Sequence, residues 1–281
     1  MTIKKHNAVI ENAIKLEPFL KWPGGKRWFI EAYQNLLPKE FNRYFEPFLG
    51  SGAVYFYLKP ERAIISDINP EIVDTYQAIK ANWRAVQRSL QHHHRNHSKV
   101  HYYEIRNREV SNLVGTASRF IYLNRTCFNG IYRVNLDGKF NVPMGSKSNV
   151  ILDSDNFEVI SRLLQSAELN NKDFAQNIGR TRKGDFLFAD PPYTVRHNLN
   201  GFVKYNENLF SWDDQIRLSK VLYNAKERGV KIIMTNANHE SIRELYQGKG
   251  FSFKTVSRYS SIAASSDSRK QFEELIISAN L

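Results

Sequence analysis

The sequence FLFADPPY occupies residues 186–193 and joins an apolar run to a carboxylate, two prolines and an aromatic ring. The first four residues are typical of a strand buried inside a parallel sheet. Pro191 and Pro192 cannot continue the hydrogen bonding of a strand, so the chain must leave the sheet directly after Asp190. Ligands of open α/β sheets bind at the carboxyl ends of the strands. The segment therefore predicts a ligand site that contains Asp190 and Tyr193.

Other short apolar runs predict further strands. Together with residues 186–189, the runs at residues 43–48, 63–66 and 231–235 predict buried parallel strands. Amphipathic helical patterns follow the second of these strands, at residues 70–90, and precede the last, at residues 212–228. Two late runs, at residues 251–259 and 272–279, favour an antiparallel hairpin at a sheet edge. This alternation predicts an α/β fold with a doubly wound, Rossmann-like sheet.

The stretch from about residue 92 to residue 150 has a different pattern. It is helical and then loop-like, rich in Arg, Asn, Tyr and His, and it lacks alternating strands. We interpret it as part of an inserted, mostly helical second domain. The predicted division gives residues 1–70 and 154–281 to the α/β domain and residues 71–153 to the insert.

A histidine cluster lies at the start of this stretch. It is formed by His92, His93, His94 and His97. No matching carboxylate or thiolate pattern lies nearby, and consecutive residues on a helix point in different directions. We therefore favour a solvated surface over a metal site and predict no bound metal.

Composition narrows the class of protein. A net charge of +12 favours a polyanionic partner, although a basic protein without a nucleic-acid role is the alternative and charge does not distinguish DNA from RNA. No apolar run reaches the roughly 20 residues of a membrane span, and the first residues lack the apolar block of a secretory signal. We expect a cytoplasmic protein with no membrane contact. The single cysteine, Cys127, excludes an intramolecular disulfide framework and a multi-cysteine zinc site.

A glycine turn follows the first predicted strand. The sequence FLGSG at residues 48–52 places Gly50 and Gly52 where the backbone can turn sharply and approach a ligand closely. The dinucleotide pattern GxGxxG is absent, because position 55 is Tyr55. Taken alone, this turn suits many Rossmann-like folds.

Two more segments are suited to bind a ligand at the glycine turn. Asp67 ends the second predicted strand, where a carboxylate can accept hydrogen bonds from two ribose hydroxyls. Asp67 could instead cap the next helix, and both roles are compatible if Asn69 is the cap. Near the start of the chain, Trp22 and Lys26 flank a double glycine, which favours a loop over a ligand with an apolar body and a carboxylate. A plain turn with a buried Trp is the alternative.

Residues 190–193 match the chemical needs of methyl transfer to adenine. The amino nitrogen of adenine is a poor nucleophile, because its lone pair is delocalised into the ring. Asp190 and a backbone carbonyl, by hypothesis that of Pro191, can accept both N–H hydrogens, and Tyr193 can stack on a base that has left the helix. The Asp190 carboxylate also stabilises positive charge that develops on the nitrogen. A sulfonium leaving group needs no acid and no metal. An ordinary strand-ending turn is the alternative.

In the order of its motifs, the chain resembles the Dam-type DNA adenine-N6 methyltransferases, a class-alpha family that includes GATC-type modification methylases. The motifs are Trp-x-Gly-Gly-Lys, Phe-x-Gly-x-Gly, Asp-Ile-Asn, the insert and Asp-Pro-Pro-Tyr. The resemblance implies a catalytic set formed by Asp190, Pro191, Pro192 and Tyr193. It also implies that an S-adenosylmethionine site is lined by Trp22, Lys26, Phe48, Gly50, Gly52, Asp67 and Asp190. One departure is Pro23, where the family usually has Ala or Thr.

The resemblance extends into the predicted insert, which would be the target-recognition domain. The segment FNGIYR at residues 128–133, followed by FNVP at residues 140–143, is similar to the family's DNA-recognition hairpin. Arg133 would be the main reader of a guanine edge, and a phosphate contact is the alternative for this residue. The other DNA-binding residues implied are Lys21, Asn129, Ile131 and Pro143. A second departure is Ser146-Lys147 in place of the usual Arg-Tyr. The family's contacts from that point to the orphaned partner strand are therefore not implied for this chain.

The implied function is methyl transfer from S-adenosylmethionine to a flipped adenine in double-stranded DNA, with GATC as the expected site. One recognition domain and one catalytic site favour a monomer. A companion restriction endonuclease and a solitary role both remain open.

Three rival functions explain only part of the sequence. Cytosine C5 methylation needs a cysteine nucleophile, but Cys127 lies in the predicted insert, and cytosine N4 methylation would prefer Ser in place of Asp190. An RNA or free-nucleotide methyltransferase is the second rival, and the long basic insert argues against a small substrate. A non-enzymatic DNA-binding protein is the third, and it leaves residues 190–193 without a purpose.

Overall fold

The computed structural model describes residues 15–135, 138–195, 210–259 and 271–281. The chain divides into two compact units. The first comprises the described parts of Met1–Gln34, Gly50–Glu61 and Asn69–Asn171. The second comprises the described parts of Asn35–Leu49, Arg62–Ile68 and Lys172–Leu281.

The second unit is built on a mixed sheet. Strands are numbered along the whole chain, and β3 (Ala167–Asn170) belongs to the first unit. The strands of the second unit are β1 (Tyr44–Glu46), β2 (Ala63–Ser66), β4 (Phe186–Ala189), β5 (Lys231–Ala237), β6 (Ser252–Tyr259) and β7 (Gln271–Ala279). They lie side by side in the order β2-β1-β4-β5-β7-β6. The pairs β2–β1, β1–β4 and β4–β5 are parallel, and β5–β7 and β7–β6 are antiparallel.

The order in which the chain adds strands to this sheet changes side at β1. From β1 the chain passes to β2 on one side and later to β4 on the other, so β1 and β4 flank the point of reversal. Tyr44 pairs with Phe186, and Phe45 pairs with Leu187. Both strands are fully buried, as expected for apolar runs inside a parallel sheet. A crevice at such a point of reversal is the usual ligand site of doubly wound sheets.

Short helices complete the second unit. Their bounds are Phe174–Gly179, Trp212–Glu227 and Glu240–Tyr246. The second of these begins with a capping box, in which Ser211 and Asp214 exchange hydrogen bonds between side chains and backbone. A buried core of residues such as Phe45, Leu187 and Ile232 packs between the sheet and these helices.

The first unit is mostly helical. Its helices are α1 (Arg27–Tyr33), α2 (Ala53–Leu58), α3 (Pro70–Asn96), α4 (Lys99–Asn107), α5 (Leu113–Thr126) and α6 (Phe157–Leu164). The three helices of the second unit follow them as α7, α8 and α9. The long helix α3 begins at Pro70, and the Asn69 side chain accepts a hydrogen bond from the Glu71 backbone at 3.0 Å. This contact identifies Asn69 as the cap. Helices α5 and α6 both pack against α3.

A buried ion pair anchors the first unit. The Arg125 side chain is 1% exposed and binds both carboxylate oxygens of Asp155, at 2.6 and 2.5 Å. The same guanidinium donates to the carbonyl oxygens of Val150 and Phe19, at 2.7 and 2.9 Å. A fully buried guanidinium is tolerated because each of its neighbours accepts a hydrogen bond.

The predicted α/β fold, with a doubly wound sheet and a C-terminal antiparallel hairpin, is confirmed. The predicted strands at residues 63–66 and 186–189 match the observed ones, and the others differ by one to three residues at their ends. The short strand β3 was not predicted, because only Ala167 of its four residues is buried and the segment lacks an apolar run. The predicted insert at residues 71–153 stays a prediction, since the two compact units begin and end at other residues. Among the described residues, no helix is both long and apolar enough to span a membrane.

Replacing Asp155 by Ala tests the anchor. The change leaves the Arg125 charge buried without its carboxylate, and we expect the free energy of unfolding to fall by about 3–5 kcal/mol. Urea unfolding followed by circular dichroism measures this loss. The matched control is Glu158→Ala, which removes a half-exposed ion pair with Arg162 and should cost less than about 1 kcal/mol. Equal effects of the two substitutions would contradict the anchoring role.

Candidate active site

Three predicted site residues meet at one edge of the sheet in the second unit. Asp67 directly follows β2, Phe48 lies two residues after β1, and Asp190 directly follows β4. The three strands are adjacent and parallel, so their carboxyl ends share an edge. The backbone N–H of Leu49 donates to the carbonyl of Ser66 at 2.9 Å and keeps the end of β1 beside β2. All three side chains are half-buried, as expected for residues that line a crevice.

Aromatic rings form an apolar wall next to this edge. The Phe48 ring stacks on Phe174 with 5.4 Å between centroids and meets Phe210 edge-on at 5.6 Å. The Arg217 guanidinium covers Phe174 at 4.3 Å. Together with the Asp67 carboxylate, this wall suits a ligand that has a flat apolar ring and a pair of hydroxyls.

The carboxylate of Asp190 is held by its neighbour in the sheet. The hydroxyl of Thr235, a fully buried residue of β5, donates to Asp190 Oδ1 at 2.7 Å. The chain then turns through Pro191 and Pro192, and the Gln215 side chain donates to the carbonyl of Pro192 at 3.2 Å. Gln215 is itself buried and accepts from Asn236 at 3.1 Å. These contacts fix the direction of the Asp190 carboxylate and the path of the turn.

Tyr193 completes the segment. Its hydroxyl donates to Glu274 Oε2 at 2.7 Å. Burial of the hydroxyl, with the nearby carboxylates of Asp190 and Glu274, raises the pKa of Tyr193 well above its usual value. The phenol therefore stays neutral and presents an uncharged ring.

Sequence reasoning missed the residues that support residues 190–193. Thr235, Gln215 and Glu274 each contact this segment from a distant part of the chain. The one available signal was Glu274, an acid that directly precedes the apolar residues 275–277 of the last strand.

The glycine turn and the Trp22 loop meet in the first unit. Gly50 and Gly52 have φ values of +48° and +66°, which favour glycine. A Cβ atom on Gly50 would lie 2.7 Å from Cδ1 of Trp22, so the indole ring packs where a side chain would otherwise be. Lys26 is buried, and its ammonium donates to the Gly24 carbonyl at 2.6 Å. This cradle brings together Trp22, Lys26, Gly50 and Gly52.

The predicted DNA-reading residues also lie in the first unit. Two short antiparallel contacts, Val134 with Phe140 and Cys127 with Met144, give the segment a hairpin shape. Arg133 is exposed, and its Nε donates to Asn141 Oδ1 at 2.9 Å. This bond holds the base of the guanidinium against the opposite side of the hairpin.

The other residues of this set lie around the same hairpin. Asn129 and Pro143 are exposed, and Ile131 is half-buried. The backbone of Lys21 exchanges two hydrogen bonds with the Asn124 side chain, at 2.8 and 2.7 Å. Partial burial and the nearby Lys147 lower the pKa of Lys21. The structure thus brings together on one unit all five residues that were predicted to contact DNA.

The prediction of a solvated histidine cluster is wrong for His93, whereas His92 and His94 are exposed as predicted. His93 is buried, not solvated, and it stacks on Tyr122 with 4.8 Å between ring centroids. Its Nδ1 lies 3.0 Å from Nε2 of His101, and burial lowers the pKa of His93 to about 4. Helix α5, which carries Tyr122, packs against this face of α3, and the sequence pattern did not reveal this. Among the described residues, no group of His, Cys, Asp and Glu could hold a metal ion.

The chain is similar in sequence to known DNA methyltransferases. The sequence model of the family described as D12 class N6 adenine-specific DNA methyltransferase matches residues 22–262. The chain is 34% identical to the type II methyltransferase M1.LlaDCHI of Lactococcus lactis subsp. cremoris, over 96% of this chain and 98% of that protein. It is 35% identical to the type II methyltransferase M.MjaIII of Methanocaldococcus jannaschii, over 94% and 99%. It is 30% identical to a DNA adenine methylase of Vibrio cholerae, over 93% and 95%.

Cys127 is not built as a nucleophile. The thiol is buried, and burial raises its pKa to about 11. At pH 9 we therefore expect iodoacetamide to alkylate the native protein roughly fiftyfold more slowly than the urea-unfolded chain, because only the thiolate reacts. Mass spectrometry of timed samples measures both rates. Equal rates would mean that Cys127 is accessible and ionised.

Proposed function

The chain belongs to the D12 class N6 adenine-specific DNA methyltransferases, and we propose that it methylates a flipped adenine within a specific site of duplex DNA. It is an enzyme, and its methyl donor is S-adenosylmethionine. The observation that carries the proposal is the position of Asp190-Pro191-Pro192-Tyr193 at the end of β4, beside the ends of β1 and β2.

The cofactor site is proposed to use the residues predicted above. Asp67 accepts hydrogen bonds from the two ribose hydroxyls, and the Phe48 ring packs against the adenine of the cofactor. Gly50 and Gly52 let the backbone approach the ligand, while Trp22 and Lys26 complete the site around the methionine end. Bound S-adenosylmethionine supplies an electrophilic methyl group on a sulfonium. No residue has to protonate that leaving group.

The target amino group is proposed to bind at residues 190–193. Asp190 accepts one N–H of the adenine amino group, and the carbonyl of Pro191 accepts the other, so that the lone pair localises on nitrogen. The carbonyl of Pro192 is less suited to this role, because the Gln215 amide already donates to it. Asp190 then stabilises the positive charge that develops on the nitrogen while the new N–C bond forms and the methyl–sulfur bond breaks. Loss of one N–H proton gives the neutral methylated amino group.

Base flipping is proposed together with this binding mode. The amino nitrogen of a paired adenine lies inside the duplex and is out of reach of a carboxylate in a crevice. The neutral Tyr193 ring offers a stacking partner that offsets the lost stacking in the helix, which costs a few kcal/mol. Pro191 and Pro192 keep the turn stiff, so the acceptors do not have to be ordered when the base arrives.

Replacing Asp190 by Ala tests the proposed chemistry. The change removes one acceptor and the charge that stabilises the transition state, so we expect kcat to fall by roughly 10³-fold or more. Binding to duplex DNA should change little, because phosphate contacts supply most of that affinity. Transfer of labelled methyl groups and fluorescence anisotropy measure the two quantities.

Asp213→Ala is the matched control, because Asp213 is an exposed acid in the first turn of α8. It should leave both quantities unchanged. An Asp190→Ala enzyme that still methylates adenine at the wild-type rate would refute the assignment.

We propose GATC as the recognition site, on the strength of the hairpin that carries Arg133. The exposed guanidinium can form two hydrogen bonds to the major-groove edge of one guanine. Asn129, Ile131 and Pro143 assist from the same hairpin, and Lys21 contacts the other guanine. Basic residues supply the remaining contacts to phosphates.

We also propose features of the biological setting. Two of the relatives are called type II methyltransferases, which supports a companion restriction endonuclease for this chain as well. We propose a monomer that acts on each strand in turn, within the cytoplasm where it meets DNA. Residues 71–153 are proposed to act as the target-recognition domain.

The proposed recognition is tested by sequencing methylated DNA from cells that express the protein. The wild-type enzyme should modify adenines within GATC. For Arg133→Ala we expect a loss of about 1–3 kcal/mol of discrimination at one guanine, so that sites with another base at that position also become methylated.

Lys139→Ala, at another exposed basic residue of the same hairpin, is the control and should retain the wild-type site. A uniform loss of methylation by Arg133→Ala at every sequence would identify Arg133 as a phosphate contact instead.

A further inference from the structure

Glu274 is a buried acid on β7 that contacts Tyr193. Glu274 is only 2% exposed, and its Oε2 accepts a hydrogen bond from the Tyr193 hydroxyl at 2.7 Å. Removing a carboxylate from water is unfavourable unless hydrogen bonds compensate it. An apolar residue would suit this position in the sheet better, so the acid indicates a specific need.

The sheet brings Glu274 to this place through its antiparallel strand. Strand β7 pairs with β5, and Glu274 lies opposite Ala237, the last residue of β5. Strand β5 also pairs with β4, whose end leads into Asp190. Residues 190–193 are thus held from two neighbouring strands, by the Thr235 hydroxyl on Asp190 and by the Glu274 carboxylate on Tyr193.

Tyr193 needs such support, because it lies beyond the paired part of β4. It follows two prolines, which leave the segment without the hydrogen bonds of a strand. A phenolic O–H prefers to lie near the plane of its ring, so an acceptor fixed at 2.7 Å restricts the rotation of that ring.

We propose that Glu274 is a positioning residue for methyl transfer: by accepting the Tyr193 hydroxyl, it sets the ring plane on which the flipped adenine stacks. This role rests on the proposed function of residues 190–193. Glu274 does not touch the base. It acts through Tyr193, and a misplaced ring moves the amino nitrogen away from Asp190.

A double-mutant cycle tests the role of Glu274. The variants are Glu274→Gln, Tyr193→Phe and the pair together, and Glu273→Gln is the matched control. Glu273 is the adjacent, exposed acid on β7, and its carboxylate accepts from Asn238 at 2.7 Å. For each variant, kcat and KM are measured on a duplex with one target adenine, and 2-aminopurine fluorescence at the target reports how the flipped base is stacked.

We expect Glu274→Gln to lower kcat roughly tenfold, since a hydrogen bond to a charged acceptor is replaced by a weaker one. The KM for S-adenosylmethionine should stay within about twofold, because the cofactor contacts are unchanged. Tyr193→Phe should lower kcat by a similar factor. The kcat of the double variant should be no lower than that of the less active single variant. The fluorescence of 2-aminopurine should change alike in all three, and Glu273→Gln should match the wild type.

Losses that multiply in the double variant would overturn the proposal, as would a Glu274→Gln enzyme that loses stability in urea but keeps its kcat. If Glu274→Gln does not fold, Tyr193→Phe decides alone, since it keeps Glu274 and removes only the hydroxyl. Full activity of Tyr193→Phe would then overturn the role. A wild-type enzyme that fails to methylate adenine in this assay overturns the proposed function itself, whereas wild-type activity with independent losses overturns only the role of Glu274.

Discussion

The parallel pairing of β1 with β4 is the constraint on which the rest of the site depends. Residues 44–46 and 186–189 are far apart in sequence, yet their strands share backbone hydrogen bonds in the buried part of the sheet. Since both strands run in the same direction, everything that follows them emerges at one edge. Phe48 and the Asp-Pro-Pro-Tyr segment are neighbours for this reason, and the parallel pairing of β1 with β2 brings Asp67 to the same edge.

Polar side chains are buried at this edge of the sheet. Their burial lowers the stability of the fold, but their hydrogen bonds orient the functional groups of residues 190–193. Thr235 and Gln215 are fully buried, and each donates a hydrogen bond to a residue of the segment 190–193. In a low-dielectric surrounding, such bonds hold a carboxylate or a carbonyl in one direction more firmly than water would. An acceptor that is already aimed needs no reorganisation when the amino group of the substrate becomes positively charged.

The elements set by local composition could be predicted from the sequence, and those set by tertiary contacts could not. Apolar runs bounded by turn residues identified the strands β2 and β4 to the residue, whereas β3 was missed because only one of its four residues is buried and it lacks an apolar run. Asp190 was identifiable because its neighbours in sequence impose the turn. The partners of Asp190 and Tyr193 lie 45 and 81 positions away, and no local pattern indicates such contacts. His93 was misjudged for the same reason, since the ring that covers it comes from α5.

The most direct measurement is a crystal structure with a short duplex and an unreactive analogue of S-adenosylmethionine. The account predicts an extruded adenine whose ring stacks on Tyr193 and whose amino nitrogen lies within about 3 Å of both an Asp190 oxygen and the Pro191 carbonyl. The analogue should occupy the crevice beside Phe48 and Asp67. An adenine that stays stacked in the duplex, or a base bound away from residues 190–193, would contradict the account.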